Sequence, residues 1–276
     1  MKMDSFEQEI ASHRSQEQLE NPDTSSLRTE RSNICIRERG CYITEGTLYS
    51  PTLKDTVAVL YSDPNIDIPK LTASHIMSPV GPSEAVGGQH GFPRWADYKE
   101  FHLEDGPNGE KRLSFQAKRS DSGLAVAKYF ELSESSLSTV TSLHNPDAIA
   151  TNTSLGEHLY FNLEDEQFAG LLINGAGLDD LLGANSENAV ISGEPLYWNG
   201  FTGDATITLP NGNIIQLTAD TIDEAKEQLG MLVWHRPGTG SICFEPTLGF
   251  DPEKGGSQLA LNPYETVELS TKIELL

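Results

Sequence analysis

From Ile34 onward the apolar positions recur with a period of two rather than 3.6. Leu124, Val126, Phe130 and Leu132 share one phase, and Lys128 stands in that phase as a charged exception. A polar link, Ser133 to Ser136, leads into Leu137–Leu143, a run rich in β-branched and small residues. Two such runs joined by a short link predict an antiparallel pair. Thr206–Leu209 and Ile214–Leu217 flank Pro210-Asn211-Gly212-Asn213, a hairpin turn in which glycine supplies a positive φ. Ser241–Phe244 and Glu265–Leu269 fit two further strands. The best helical segment is Ile222–Leu229, where Thr221 and Glu224 have capping-box spacing before Gly230.

Residues 1–32 differ from the rest. Phe6, Ile10, Leu19 and Leu27 are their only large apolar side chains besides methionine, which predicts a mobile tail that contributes little to stability. No internal repeat and no linker divides residues 33–276. Many short strands punctuated by 24 glycines and 15 prolines predict one all-β domain.

Charge removes several classes of function. A net charge of -22 repels nucleic acid backbones and anionic lipid surfaces, so neither is an expected partner. No run approaches the length of a membrane span, and the first residues lack the apolar core of a signal peptide. Cys35, Cys41 and Cys243 form neither a disulfide framework nor a CxxC zinc pair, so a reducing cytoplasm is the expected setting. There is no Walker loop, no GxGxxG opening a helix, no HExxH and no GxSxG, a lack consistent with chemistry that needs no metal or cofactor. Asn152-Thr153-Ser154 matches a glycosylation sequon but has no secretion signal behind it.

Three places carry candidate chemistry. His90 lies in Gly87-Gly88-Gln89-His90-Gly91-Phe92-Pro93-Arg94-Trp95, where glycines let a backbone approach a ligand and Arg94 and Trp95 offer a polyol-binding fork and a stacking face. His158 lies in Leu155-Gly156-Glu157-His158-Leu159-Tyr160-Phe161-Asn162. Strand alternation there places His158 and Tyr160 on one face, and Leu159 and Phe161 on the other. Glu245 ends the apolar run Ile242-Cys243-Phe244, where desolvation would raise a carboxylate toward a working base. On these contexts alone, a hydrogen-bonded structural histidine is the favoured reading of His158, and a strand-end glutamate facing water is at least as open a reading of Glu245. His13, His102, His144 and His235 read as surface or structural, and nothing in the sequence around His75 ties it to a site.

These motifs together resemble the aldose 1-epimerase (galactose mutarotase-like) family, near its glucose-6-phosphate 1-epimerase branch. Gln89-His90-Gly91-Phe92-Pro93-Arg94 is similar to QHGFAR, Gly156 to Leu163 resembles G-x-H-x-Y-F-N-L, and Trp234 followed by Ile242-Cys243-Phe244-Glu245-Pro246 resembles the late tryptophan and C-V-E-P strand. The resemblance runs from about Ile34 to the C-terminus. It implies a large antiparallel β-sandwich and interconversion of the α and β anomers of an aldose or aldose phosphate. It also implies Glu245 as the general base at the C1 hydroxyl and His158 as the acid at the ring oxygen. His90, Arg94 and Asp204 would bind the sugar, with Asp179, Asp180 or Glu194 as alternatives to Asp204.

One departure stands out. Where the family often carries R-G-G-I-P, this chain reads Lys70-Leu-Thr-Ala-Ser-His75-Ile-Met-Ser-Pro79, without arginine, which weakens a phosphosugar reading. A sugar-binding module without turnover is the competing function. Glycoside hydrolysis is disfavoured because it needs two carboxylates.

Overall fold

The computed structural model describes residues 24–63, 74–81, 89–117, 123–163 and 165–276. In chain order the first strands are β1 (Thr24–Arg28), β2 (Asn33–Arg37), β3 (Tyr42–Ser50), β4 (Asp55–Val57), β5 (Ser74–Met77), β6 (Tyr98–Asp105) and β7 (Lys111–Ala117). Then follow β8 (Ala125–Leu132), β9 (Ser136–His144), β10 (Thr151–Thr153), β11 (Leu155–Asn162), β12 (Leu172–Ile173), β13 (Leu196–Trp198) and β14 (Asp204–Thr208). The last are β15 (Ile214–Asp220), β16 (Leu229–Trp234), β17 (Ser241–Leu248), β18 (Phe250–Asp251), β19 (Gly256–Ser257), β20 (Leu259–Leu261) and β21 (Thr266–Leu275).

Two large antiparallel sheets dominate. One has nine strands in the order β1-β2-β3-β5-β11-β17-β16-β13 with β4 attached to β3; the other has eight, β12-β14-β15-β21-β9-β8-β7-β6. The expected all-β sandwich is therefore present. So are its hairpins: β8 pairs with β9 from Ala125↔His144 to Leu132↔Leu137, and β14 pairs with β15 around a turn in which Gly212 has φ 90°.

One continuous core lies between the sheets and takes side chains from both, including Ile34, Ile76, Leu159, Phe161 and Phe244 from one and Val126, Phe130, Leu217 and Ile273 from the other. On β11 the core phase is Leu155, Glu157, Leu159, Phe161. Glu157 is therefore an acid pointing inward, just as Lys128 on β8 is a base pointing inward. They meet across the sandwich: Lys128 Nζ donates to both carboxylate oxygens of Glu157 at 2.7 Å, with side chains 0% and 1% exposed. Each residue breaks its own strand's apolar face, and each is the other's reason for doing so.

Two expectations are corrected. The segment 24–32 is part of the fold, not of a tail. β1 pairs along its length with β2, Leu27 is 1% exposed, and the Glu30 and Arg31 amides both donate to the Glu134 carboxylate at 3.1 Å. One well-placed leucine and a backbone ladder suffice where the composition looked too poor. Residues 1–23 lie outside the described residues.

The helix expected over Ile222–Leu229 is a 3₁₀ segment, Asp223–Gln228. Thr221 Oγ1 donates to the Glu268 carbonyl at 2.6 Å instead of capping, and Leu229 is drawn into β16 opposite Leu248.

Two outcomes are expected in chemical denaturation. Deleting residues 1–32 should cost about 2 kcal/mol or more through Leu27 and the lost strand. Lys128→Met should cost about 3–5 kcal/mol because it strands a buried carboxylate, and adding Glu157→Met should recover most of that loss. A single variant as stable as the parent would mean the pair is not the inter-sheet clamp.

Candidate functional site

The outer face of the nine-stranded sheet carries the cluster. Alternation that sends Glu157 inward sends His158 and Tyr160 outward on β11, while Cys243 and Glu245 point the same way on β17 and His75 on β5. Register then sets neighbours: His158 lies opposite His75, Tyr160 opposite Cys243, and Trp234 on β16 opposite Cys243. Asn162 extends the motif's role beyond the strand. Its amide donates to the carbonyls of Ala58 at 2.6 Å and Leu60 at 3.0 Å, holding a segment whose Tyr61 packs with Tyr160, Cys243 and Trp234.

His90 and Arg94 arrive from a loop stitched to β5. The Ser78 amide donates to the His90 carbonyl at 3.0 Å, and the His90 amide to the Gly81 carbonyl at 2.8 Å. His90 itself has φ 65°, and Gly91 has φ 68° and ψ -174°, a conformation open only to glycine. A Cβ on Gly91 would overlap the Ser78 carbonyl oxygen, which explains glycine after this histidine. The 3₁₀ turn Phe92–Arg94 then buries Arg94 to 2% exposure.

The geometry is compact. His158 Nε2 and Glu245 Oε1 are 3.1 Å apart, with both side chains 5% exposed. The His158 ring stacks on Tyr160 at 4.3 Å, meets His75 at 4.5 Å and His90 at 5.7 Å, and stands edge-on to Trp234 at 6.0 Å. His75 and His90 are 5.5 Å apart. Four of the residues singled out from sequence, His90, Arg94, His158 and Glu245, thus lie together.

Asp204 does not join them. It is exposed at the start of β14 in the other sheet, opposite Thr218. The alternatives Asp179, Asp180 and Glu194 are also exposed. His102 and His144 are surface residues bonded to Glu104 and Thr266, whereas His235 is buried against the Ser241 carbonyl and Phe168. His75 is the residue that sequence reasoning passed over. All four residues of its strand are buried, so no alternation marks its face.

Burial governs the electrostatics. Desolvation, then the Arg94 charge, holds His158, His90 and His75 well below 6.5, with neighbouring imidazoles adding to the effect for His90 and His75. Desolvation pushes Glu245 up to about 8 against the opposing pull of Arg94. Arg94 is itself lowered by burial to about 10, with Tyr160 and Glu245 opposing, and remains a cation at neutral pH. Near pH 7 the His158–Glu245 pair therefore shares one dissociable proton, and the contact is a hydrogen bond within a net-neutral pair. Two overlapping trios, His75/His90/His158 and His158/Cys243/Glu245, have potential metal-ligand atoms within 4.8 Å of one another. The Arg94 charge, felt by all three histidines, opposes a cation there.

No protein-family model matches the chain, and no curated protein sequence matches it. Solved structures do. A galactose mutarotase-like protein from Lactobacillus casei is 15% identical with TM-score 0.65, over 92% of this chain and 100% of that one. A second, from Clostridium acetobutylicum, is 16% identical with TM-score 0.66, over 93% and 96%. A candidate aldose 1-epimerase from Escherichia coli K12 is 15% identical with TM-score 0.67, over 93% and 99%. The chain has the galactose mutarotase-like fold. No described helix is long and apolar enough to cross a membrane.

The histidines dictate a pH response of the fold. Unfolded, each titrates near 6.5, whereas folded it resists protonation until well below that value. Their contribution is present above 6.5 and is lost as pH falls, by up to about 1.4 kcal/mol per pH unit for each histidine. Glu245 acts oppositely, because its raised value makes stability fall as pH rises from 4.5 to about 8. The urea midpoint should therefore drop steeply between pH 7 and 5.5, and Glu245→Gln should raise the midpoint at pH 8. A flat profile in both measurements would contradict the buried, uncharged cluster.

Proposed function

We propose that this protein interconverts the α and β anomers of an aldose by acid/base opening of the hemiacetal. The observation that carries this reading is the buried His158–Glu245 pair at 3.1 Å, set on adjacent strands with His90 and Arg94 beside it.

The chemistry needs one group to take a proton from the C1 hydroxyl and another to give one to the ring oxygen. Both oxygens are bonded to the same carbon, so two groups in mutual contact suffice. Glu245 as carboxylate accepts the hydroxyl proton, the C1–O5 electron pair goes to the ring oxygen, and protonated His158 delivers a proton there. The open aldehyde turns about C1–C2. Attack of the hydroxyl on the other carbonyl face then returns both protons. That arrangement is reached from the net-neutral pair by moving its shared proton across the 3.1 Å contact. Nothing is oxidised or reduced.

A hydrolase is a weaker reading. Glu157, the neighbouring buried carboxylate, is held by Lys128 on the core side of β11 and does not face this site. A sugar-binding module would need the stacking and hydrogen-bonding groups but no matched acid and base, so the pair favours turnover.

Exchange between freshly dissolved anomers, followed by polarimetry or NMR, tests the reading. Glu245→Gln should lose about 10²–10⁴-fold in rate while still binding sugar, and His158→Asn should lose a similar amount. The double variant should be scarcely worse than either single one, since the two groups act together. The wild-type rate should fall above about pH 8, where Glu245 and the pair lose their proton, and again only well below pH 6.5, where the pair gains a second. Sugar binding without accelerated exchange would establish the binding module instead.

A further inference from the structure

Among the groups of the outer face that the acid/base scheme leaves unused is a third buried histidine. His75 is fully buried, directly opposite His158 in the β5–β11 register, and its ring lies 4.5 Å from His158, 5.5 Å from His90 and 6.0 Å from Tyr160. Among the described residues neither of its ring nitrogens has a hydrogen-bond partner, and His158 Nδ1 beside it has none either. A buried polar atom left in that state costs free energy that an apolar side chain of similar size would avoid. The next residue, Ile76, packs into the core in the ordinary way, so the strand has no need of a histidine for its own stability.

We propose that His75 is a substrate-contacting residue of this site, an imidazole that donates from one ring nitrogen and accepts at the other to hold hydroxyl groups of the aldose. The inference rests on reading the site as an aldose site. It adds a binding group that neither the motifs nor the acid/base pair supplied. A hydroxyl is the chemistry that fits, because it is uncharged and offers both a donor and an acceptor to a ring presenting the converse. A carboxylate or phosphate would need donors only, and a metal cation would have to sit in the field of Arg94. Burial keeps His75 uncharged, in line with a hydroxyl partner.

The test compares His75→Leu and His75→Asn with the wild type on the aldose that gives the fastest anomer exchange. His75→Leu should melt at or above the wild-type temperature, because it removes two unpaired buried nitrogens. Its KM should nevertheless rise roughly tenfold with kcat within about threefold of wild type, the signature of lost binding rather than lost chemistry. His75→Asn, which keeps a donor and an acceptor, should recover part of the KM.

A second measurement covers a variant that does not fold. In Glu245→Gln protein, which binds without turnover, the His75 ring nitrogens should shift in ¹⁵N NMR on saturation with the sugar. A folded His75→Leu variant with wild-type KM, or ring nitrogens unmoved by bound sugar, overturns the proposal and leaves the anomerase reading intact. Stoichiometric zinc or cobalt(II) binding that activity requires and that His75→Leu abolishes overturns it in favour of a metal centre. A wild type that neither binds nor interconverts any aldose overturns both.

Discussion

The arrangement of this molecule turns on the ion pair between Lys128 and Glu157. A strand's side chains alternate, so the face taken by Glu157 decides the face taken by His158. With Glu157 bound to Lys128 inside the sandwich at 2.7 Å, β11 cannot slip by one residue without moving that carboxylate out and His158 in, beside an unpaired ammonium. A buried ion pair gives little net stability against a hydrophobic alternative, since desolvation of both charges offsets their attraction. Its value lies in the penalty it places on the wrong register. Because β17 and β5 are paired to β11 on either side, the same lock fixes which way Glu245 and His75 face.

Above that lock the site is buried and nearly uncharged. Its histidines are held unprotonated, Glu245 carries its proton up to about pH 8, and Arg94 supplies the remaining formal charge among the residues gathered there. This contrasts with the rest of the protein, whose net charge of -22 lies elsewhere. An uncharged polyol can cross such a surface and exchange its hydration for hydrogen bonds without paying to bury an ion. An anionic substrate meets repulsion outside and, among the described residues of the cluster, one guanidinium within.

Much of this was legible in the sequence, and the reasons are specific. The period of two along β8 and β9 and the turn at Pro210–Asn213 are local signals, so the strands and hairpins followed from them. His158 and Tyr160 could be assigned one face because strand alternation was readable there, whereas Glu245 stood out only as the end of an apolar run. What escaped depends on partners distant in sequence. Lys128 broke its strand's pattern visibly, yet nothing near it indicated Glu157, 29 residues away. His75 sits in four uniformly buried residues and gains meaning only opposite His158. Thr221 had cap spacing, but the Glu268 carbonyl competes for its hydroxyl. Asp204 came from resemblance alone, and the strand it opens belongs to the other sheet.

The loop carrying His90 and Arg94 supplies the second constraint, independent of the first. Gly91 lets the chain press its backbone onto Ser78 at the end of β5, and the bond from the Ser78 amide to the His90 carbonyl ties that loop to the strand bearing His75. The ion pair thus orients the strands from beneath while glycine sterics bring the loop down from above. Neither device touches the reacting groups, and both fix where those groups lie. On the proposed reading, general acid–base catalysis on a hemiacetal would gain from this arrangement because the positional cost is met in folding, before substrate arrives. On that argument Gly91→Ala should impair the site without altering any group in it, since the added methyl would overlap the Ser78 carbonyl and force the loop and the end of β5 apart.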